Sequence, residues 1–120
     1  MEKKTSHSDN YDPAFLEKML FKVSKRWIAG HSNIEAIRQA RKSNKCGMSA
    51  ILNYLGEGYT EKSEVDRSVL EYFTLIDLLK SNNIIGSISV KPTQVGLCIG
   101  YDLYLQNFGK ISQKAMENGF

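Results

Sequence analysis

Between positions 12 and 27 the apolar residues Leu16, Met19, Leu20, Val23 and Trp27 recur three and four apart. That is the period of one face of an α-helix. Asp12-Pro13 ahead of it offers an N-cap and a proline at the first helical position. A first amphipathic helix is therefore predicted from Pro13 to about Lys25 or Trp27, with Gly30 ending it. Ser32-Asn33-Ile34-Glu35 has the form of a capping box, in which Ser and Glu satisfy orphan amides reciprocally. It opens a second helix to about Lys45, and Gly47 suits the left-handed conformation just past that end.

From Gly47 the period changes. Met48 to Leu55 (MSAILNYL) is a short, largely apolar run bounded by Gly47 and Gly56, which predicts a strand covered on both faces. Ser63 with Asp66 opens a third helix, whose Val65, Val69, Tyr72, Phe73, Ile76 and Leu79 form an apolar stripe ending near Ser81-Asn82-Asn83. Ile84 to Lys91 (IIGSISVK) reads as a second strand, with Ser87, Ser89 and Lys91 on one face and Ile88 and Val90 on the other. Pro92 stops its ladder. Asp102 is placed to cap a fourth helix in which Tyr104, Phe108, Ile111 and Ala115 share a face, with Asn118-Gly119 as its exit.

The order from Gly47 onward, strand, helix, strand, helix, is that of a parallel α/β architecture with a right-handed crossover. Residues 1–11 form a polar leader and residues 12–120 the structured remainder. A third strand is expected to begin beyond Phe120, because two parallel strands alone leave edges unpaired. The 120 residues also fall short of the roughly 250 that a closed eight-stranded α/β barrel needs.

Composition narrows the class without naming a task. A hydrophobic fraction of 42% and a charged fraction of 24% are ordinary for a soluble globular chain. No apolar run approaches the ~20 residues of a spanning helix, and the start, Met1-Glu2-Lys3-Lys4, is no signal peptide. The expected compartment is the cytoplasm. The net charge of +3 is scattered, and the densest basic stretch, Arg38, Arg41, Lys42 and Lys45, falls on the second helix as a solvated face, so no nucleic-acid partner is expected. Cys46 and Cys98 belong to no CxxC spacing and read as reduced thiols; His7 and His31 are isolated, and no metal site is expected.

In parallel α/β folds functional residues collect at the carboxyl ends of strands. Here those ends are Asn53-Tyr54-Leu55-Gly56-Glu57 and Ser89-Val90-Lys91-Pro92-Thr93-Gln94. Neighbouring strands lie ~4.8 Å apart, so an in-register pair puts Asn53, Glu57, Lys91 and Gln94 on one rim. A cation, a carboxylate and two amides suit an amino acid or another zwitterion. Each has a plainer reading. Lys91 could be a solvated edge charge, Glu57 turn filler between two glycines, and Asn53 a structural hydrogen bonder in an apolar strand; Gln94 alone says little. The alternating serines below Lys91 favour its functional reading, because polar residues inside a strand pair need an interior hydrogen-bonding reason. Neither GxGxxG nor GxxxxGK[ST] is present.

Arg26-Trp27-Ile28-Ala29-Gly30, Asn53-Tyr54-Leu55-Gly56-Glu57 and Ile88-Ser89-Val90-Lys91-Pro92-Thr93-Gln94-Val95-Gly96-Leu97 together resemble the flavin-dependent proline dehydrogenases. The last block is the most specific, matching a Ser-Val-Lys-x-[Ser/Thr]-x-x-Gly-Leu-like stretch at the end of the family's second barrel strand. The resemblance covers nearly everything after the leader. It implies N-terminal helices plus the first two βα units of a distorted (βα)8 TIM-type barrel, truncated. It further implies FAD as cofactor, L-proline oxidised to 1-pyrroline-5-carboxylate, and a quinone or other electron acceptor. By the same resemblance Lys91 lies between flavin and substrate carboxylate, and Glu57 forms a gating ion pair with an arginine from the last barrel helix. Asn53 stands where the family often has Asp. An acid on the next strand, most flavin contacts and the carboxylate-binding arginines would follow Phe120, so the chain alone is expected neither to hold FAD nor to turn over proline. A complementing chain would then supply the missing strands; otherwise the chain is a non-catalytic interaction module that binds a partner or, by self-association, another copy of itself.

Overall fold

Parallel pairing of two short strands sets the architecture. The computed structural model describes residues 13–24 and 29–120. The chain divides into two compact units, residues 1–30 and 31–120. In the first, helix α1 runs Pro13–Ser24, so the proline does take the first helical position. Its apolar positions Leu16, Met19, Leu20 and Val23 are exposed. The leader, Asp12 and the Arg26-Trp27-Ile28 part of the family-like motif lie outside the described residues.

The second unit contains helix α2 (Asn33–Lys45), strand β1 (Ala50–Leu52), helix α3 (Lys62–Ser81), strand β2 (Gly86–Ile88), a 3₁₀ turn (Pro92–Gln94) and helix α4 (Tyr101–Glu117). The strands pair in parallel, with Ala50 opposite Gly86, Ile51 opposite Ser87 and Leu52 opposite Ile88. This mixed α/β arrangement follows the expected order. Leu52 packs with Ile37 and Ala40 of α2 and with Leu75 and Leu79 of α3. Ile88 and Val90 pack against a second cluster, Tyr72 and Ile76 of α3, Val95, and Ile111 of α4. Leu52 and Ile88 face the same way, so all three helices lie on one side of the sheet. Helix α3 is the central element, and its predicted stripe is buried except Phe73, which is half-buried.

Several boundaries differ from the pattern. The strand expected over Met48–Leu55 is three residues long and is covered on one face only, Ile51 being 72% exposed. Its apolar composition suits a two-sided strand, yet no described layer covers the second face. Ser87 and Ser89 are likewise exposed, so no interior hydrogen bond is needed to explain them. Helix α3 is capped two residues early, at Glu61: the Glu61 carbonyl accepts from the Glu64 and Val65 amides, and Asp66 pairs with Lys62 at 2.6 Å instead of serving a cap. Helix α4 is capped at Gly100, which leaves Asp102 inside its first turn, where an acid still complements the helix dipole. In the α2 cap Ser32 accepts from the Glu35 amide (3.3 Å), whereas the Glu35 carboxylate takes the amide of His31 (2.8 Å), one residue before the expected partner.

The strand starts are fastened by one side chain. Asn44, in the last turn of α2, donates to the carbonyls of Met48 (2.9 Å) and Ile85 (2.8 Å) and accepts from the Ile85 amide (2.8 Å). The basic face of α2, Arg38, Arg41, Lys42 and Lys45, is exposed. Cys46 and Cys98 are free, exposed thiols. Among the described residues no helix is long and apolar enough to cross a membrane, and no group of His, Cys, Asp or Glu is arranged to hold a metal.

The two strands approach closely at Gly86, since a Cβ built there would overlap the Ala50 carbonyl oxygen. Replacing a glycine in a strand with alanine gains about 0.4–1 kcal/mol through the unfolded chain, but forcing a carbon into filled space costs about 1–3 kcal/mol. Gly86→Ala is therefore expected to destabilise the chain and lower its urea midpoint. An unchanged or raised midpoint would show that the strands are not paired this closely.

Candidate functional site

Pairing ends at Leu52, whose carbonyl accepts from the Ser89 amide at 2.8 Å. From there the two strand tips are built differently. The β2 side continues through Lys91 into the 3₁₀ turn, and Pro92 starts that turn. The β1 side becomes the loop Asn53–Tyr59, bent by Gly56 (φ 137°) and Gly58 (φ 72°) on either side of Glu57. Both values favour glycine. At Gly56 a Cβ would also meet the Tyr59 hydroxyl, which would have to shift.

The two charged candidates meet. Lys91 Nζ lies 3.6 Å from Glu57 Oε2, with the side chains 38% and 75% exposed. Asn53 is exposed on the open face of the sheet, so it carries no buried-polar cost, and the expectation of a covered, apolar strand around it does not hold. Gln94 is the correction of most consequence. It was expected on the rim; instead it is fully buried beneath it.

Both N–H groups of the Gln94 amide and its oxygen are engaged. Nε2 donates to the carbonyls of Tyr54 (2.7 Å) and Gly56 (2.6 Å), and Oε1 accepts from the Tyr72 hydroxyl. The Tyr72 oxygen also lies 3.2 Å from the Ser89 carbonyl. The Tyr54 ring meets the Tyr72 ring edge-on at 6.5 Å. Tyr72 entered the sequence analysis only as an apolar position. The available signal was its phenol, since a tyrosine buried in an apolar stripe needs a partner for its hydroxyl.

On such a rim the lysine can attract a carboxylate and the glutamate an ammonium group, which fits a zwitterion better than a simple anion. A separate apolar groove of about 450 Å³ lies between β2 and α4, lined by Ile88, Val90, Phe108, Ile111, Ala115 and Met116 among others.

Burial pushes the Tyr72 phenol above its ordinary value of 10.0, although hydrogen bonding by the backbone at Lys91 and Tyr54 pulls the other way. Tyr59 is also raised, first by burial and then by Tyr54 and Glu64, against Arg67. Both phenols thus keep their protons to higher pH in the folded chain than in the unfolded one. Above pH ~10 the unfolded state binds fewer protons, so stability is complete below that pH and is lost as pH rises through the folded-state values. Urea midpoints measured from pH 8 to 11.5 are expected to stay flat and then fall, with a shallower fall in Tyr72→Phe. An alkaline limb of equal slope in the variant would contradict the burial of that phenol.

No family model matches the sequence. Proline dehydrogenase 1 of Bacillus subtilis (strain 168) is 24% identical over 94 residues, a stretch that covers 78% of this chain and 31% of that protein. Proline dehydrogenase 1 of Bacillus subtilis subsp. natto matches with the same figures. The chain therefore spans about a third of the length of the curated relatives it matches. The likeness supports a distant relation to an oxidoreductase at this coarse level.

Proposed function

We propose that this chain supplies part of the L-proline site of a proline dehydrogenase-type oxidoreductase of the cytoplasm, which oxidises L-proline to 1-pyrroline-5-carboxylate and passes electrons to a quinone or another acceptor. The observation that carries the reading is the meeting of Lys91 and Glu57 across adjacent strand tips, 3.6 Å apart. It is supported by the likeness to the two Bacillus proteins. In this reading β1 and β2 are the first strands of a (βα)8 barrel, and their open face, with Ile51, Ser87 and Ser89, looks into its interior. Lys91 binds the substrate carboxylate and thereby orients the ring. Glu57 acts as a gate whose pairing changes with access to the site, and Asn53 borders the same rim. Gln94 supports the rim from below and does not touch the ligand.

The family brings FAD with it. The described residues do not form a flavin site by themselves, because the rim is open: Glu57 is 75% exposed and Asn53 is exposed beside it. A buried cofactor needs walls on most sides, and further polypeptide would have to provide them.

A second reading, a non-catalytic interaction module or one half of a split enzyme, draws on the groove between β2 and α4 and on the uncovered sheet face, where exposed Ile51 and Ile85 lie. Such edges and patches recruit partners or second copies. Co-expression separates the two. Combined with the remainder of the Bacillus subtilis protein outside the matched segment, this chain is expected to restore proline-dependent reduction of dichlorophenolindophenol. Lys91→Met is expected to lower that activity by roughly tenfold or more, the worth of a hydrogen bond to a charged group. A complex that forms without activity would favour the interaction module, and activity indifferent to Lys91→Met would remove the proposed site.

A further inference from the structure

Glu57 and Lys91 are too exposed to fix their own spacing. A surface pair of this kind contributes about 0–1 kcal/mol, whereas ordering one loop residue costs about 1–2 kcal/mol. Glu57 sits in a loop bent by two positive-φ glycines and outside the ladder. Something other than the ion pair must hold it.

That hold lies in the turn following Lys91. Three hydrogen bonds join the Glu57 loop to it: Gln94 Nε2 to the carbonyls of Tyr54 and Gly56, and the Tyr59 amide to the Thr93 carbonyl at 3.1 Å. They bracket Glu57 on both sides. Two arise from one completely buried side-chain amide and reach carbonyls in a partly buried setting, and leaving the buried amide without partners costs about 1–3 kcal/mol. The buried term therefore outweighs the surface pair.

The amide must also face the right way. A flipped Gln94 would turn its oxygen toward two carbonyl oxygens. The Tyr72 hydroxyl opposes this by donating to Oε1; its single proton reaches that oxygen or is shared with the Ser89 carbonyl. Tyr72 belongs to α3, so the helix that crosses between the strands also orients the amide that ties their tips.

We propose that Gln94 and Tyr72 are positioning residues that set the distance between Glu57 and Lys91: Gln94 pins the loop to the turn, and Tyr72 fixes the orientation of the pin. The significance of that distance for an L-proline site rests on the proposed function. The positioning itself does not.

Zero-length carbodiimide coupling reads it directly, since it joins a carboxylate to an amine only when the two are in contact. The yield of the Glu57–Lys91 crosslink, found by mass spectrometry after digestion, is compared with that of Asp77–Lys114, a pair at 2.7 Å between α3 and α4. In the parent chain both crosslinks are expected. In Gln94→Met the Glu57–Lys91 yield is expected to fall roughly fivefold or more against the internal reference, and in Tyr72→Phe by a smaller factor. General loosening would lower both yields together and leave their ratio in place. An unchanged ratio in a Gln94→Met chain of parental circular dichroism overturns the proposal. So does a parent chain that couples only Asp77–Lys114. Should Gln94→Met fail to fold, Tyr72→Phe decides, because it keeps the amide and the ring; an unchanged ratio there is equally fatal. Coupling needs neither flavin nor proline, so a lost crosslink in a chain without any proline site would end the functional reading and leave the positioning role standing.

Discussion

Everything at the rim depends on the in-register parallel pairing of β1 and β2. Their register puts Leu52 opposite Ile88, and the next inter-strand bond, from the Ser89 amide to the Leu52 carbonyl, brings the two exits side by side. A slip of one residue would reverse every side chain on one strand, sending Ser89 and Lys91 toward the helices and Val90 to solvent. The core prevents it, because Leu52, Ile84 and Ile88 meet helices on a single face. Two amide side chains then clip the pair at its ends, Asn44 below and Gln94 above. The ladder between them is three residues long, too short to be stable alone, so these clips and the crossing helix carry much of its definition.

The rim is a surface feature with a buried cause. Glu57 and Lys91 have the residue types and spacing for a zwitterion, but their mutual attraction in water is weak. Directional hydrogen bonds in a dry setting are costly to break, which makes the Gln94 and Tyr72 pair the stiffer part. In the proposed reading such a weak pair above a stiff support suits a gate, because Glu57 would exchange Lys91 for another partner without disturbing the strand tips.

Much of this was legible in the sequence, for reasons tied to particular residues. The α3 stripe was readable because Val65, Val69, Tyr72, Ile76 and Leu79 repeat at helical spacing, and all five are buried. The meeting of Lys91 and Glu57 was readable from strand, helix, strand order together with the constant spacing of paired strands. Gln94 was misplaced because a polar residue at a strand exit looks solvent-facing, and its two carbonyl partners are backbone groups, which leave no mark in a sequence. Asn44 was invisible for the same reason. The one-sided sheet was missed because an apolar strand looks alike whether its second face is covered or open. Cap positions at Glu61 and Gly100 were set by backbone geometry, without the side-chain bonds that Ser63 and Asp102 seemed to offer.

An oxidoreductase reading asks this unit to present two charges at one opening, and that demand reduces to which backbone groups are bonded between the strands. Scalar couplings transmitted through hydrogen bonds report those bonds without reference to side chains. A coupling from the Ser89 amide nitrogen to the Leu52 carbonyl carbon, together with one from Ala50 to Ile85, is the outcome this account requires. Couplings shifted by one residue, or none across the two segments, would place Lys91 and Glu57 apart and contradict it.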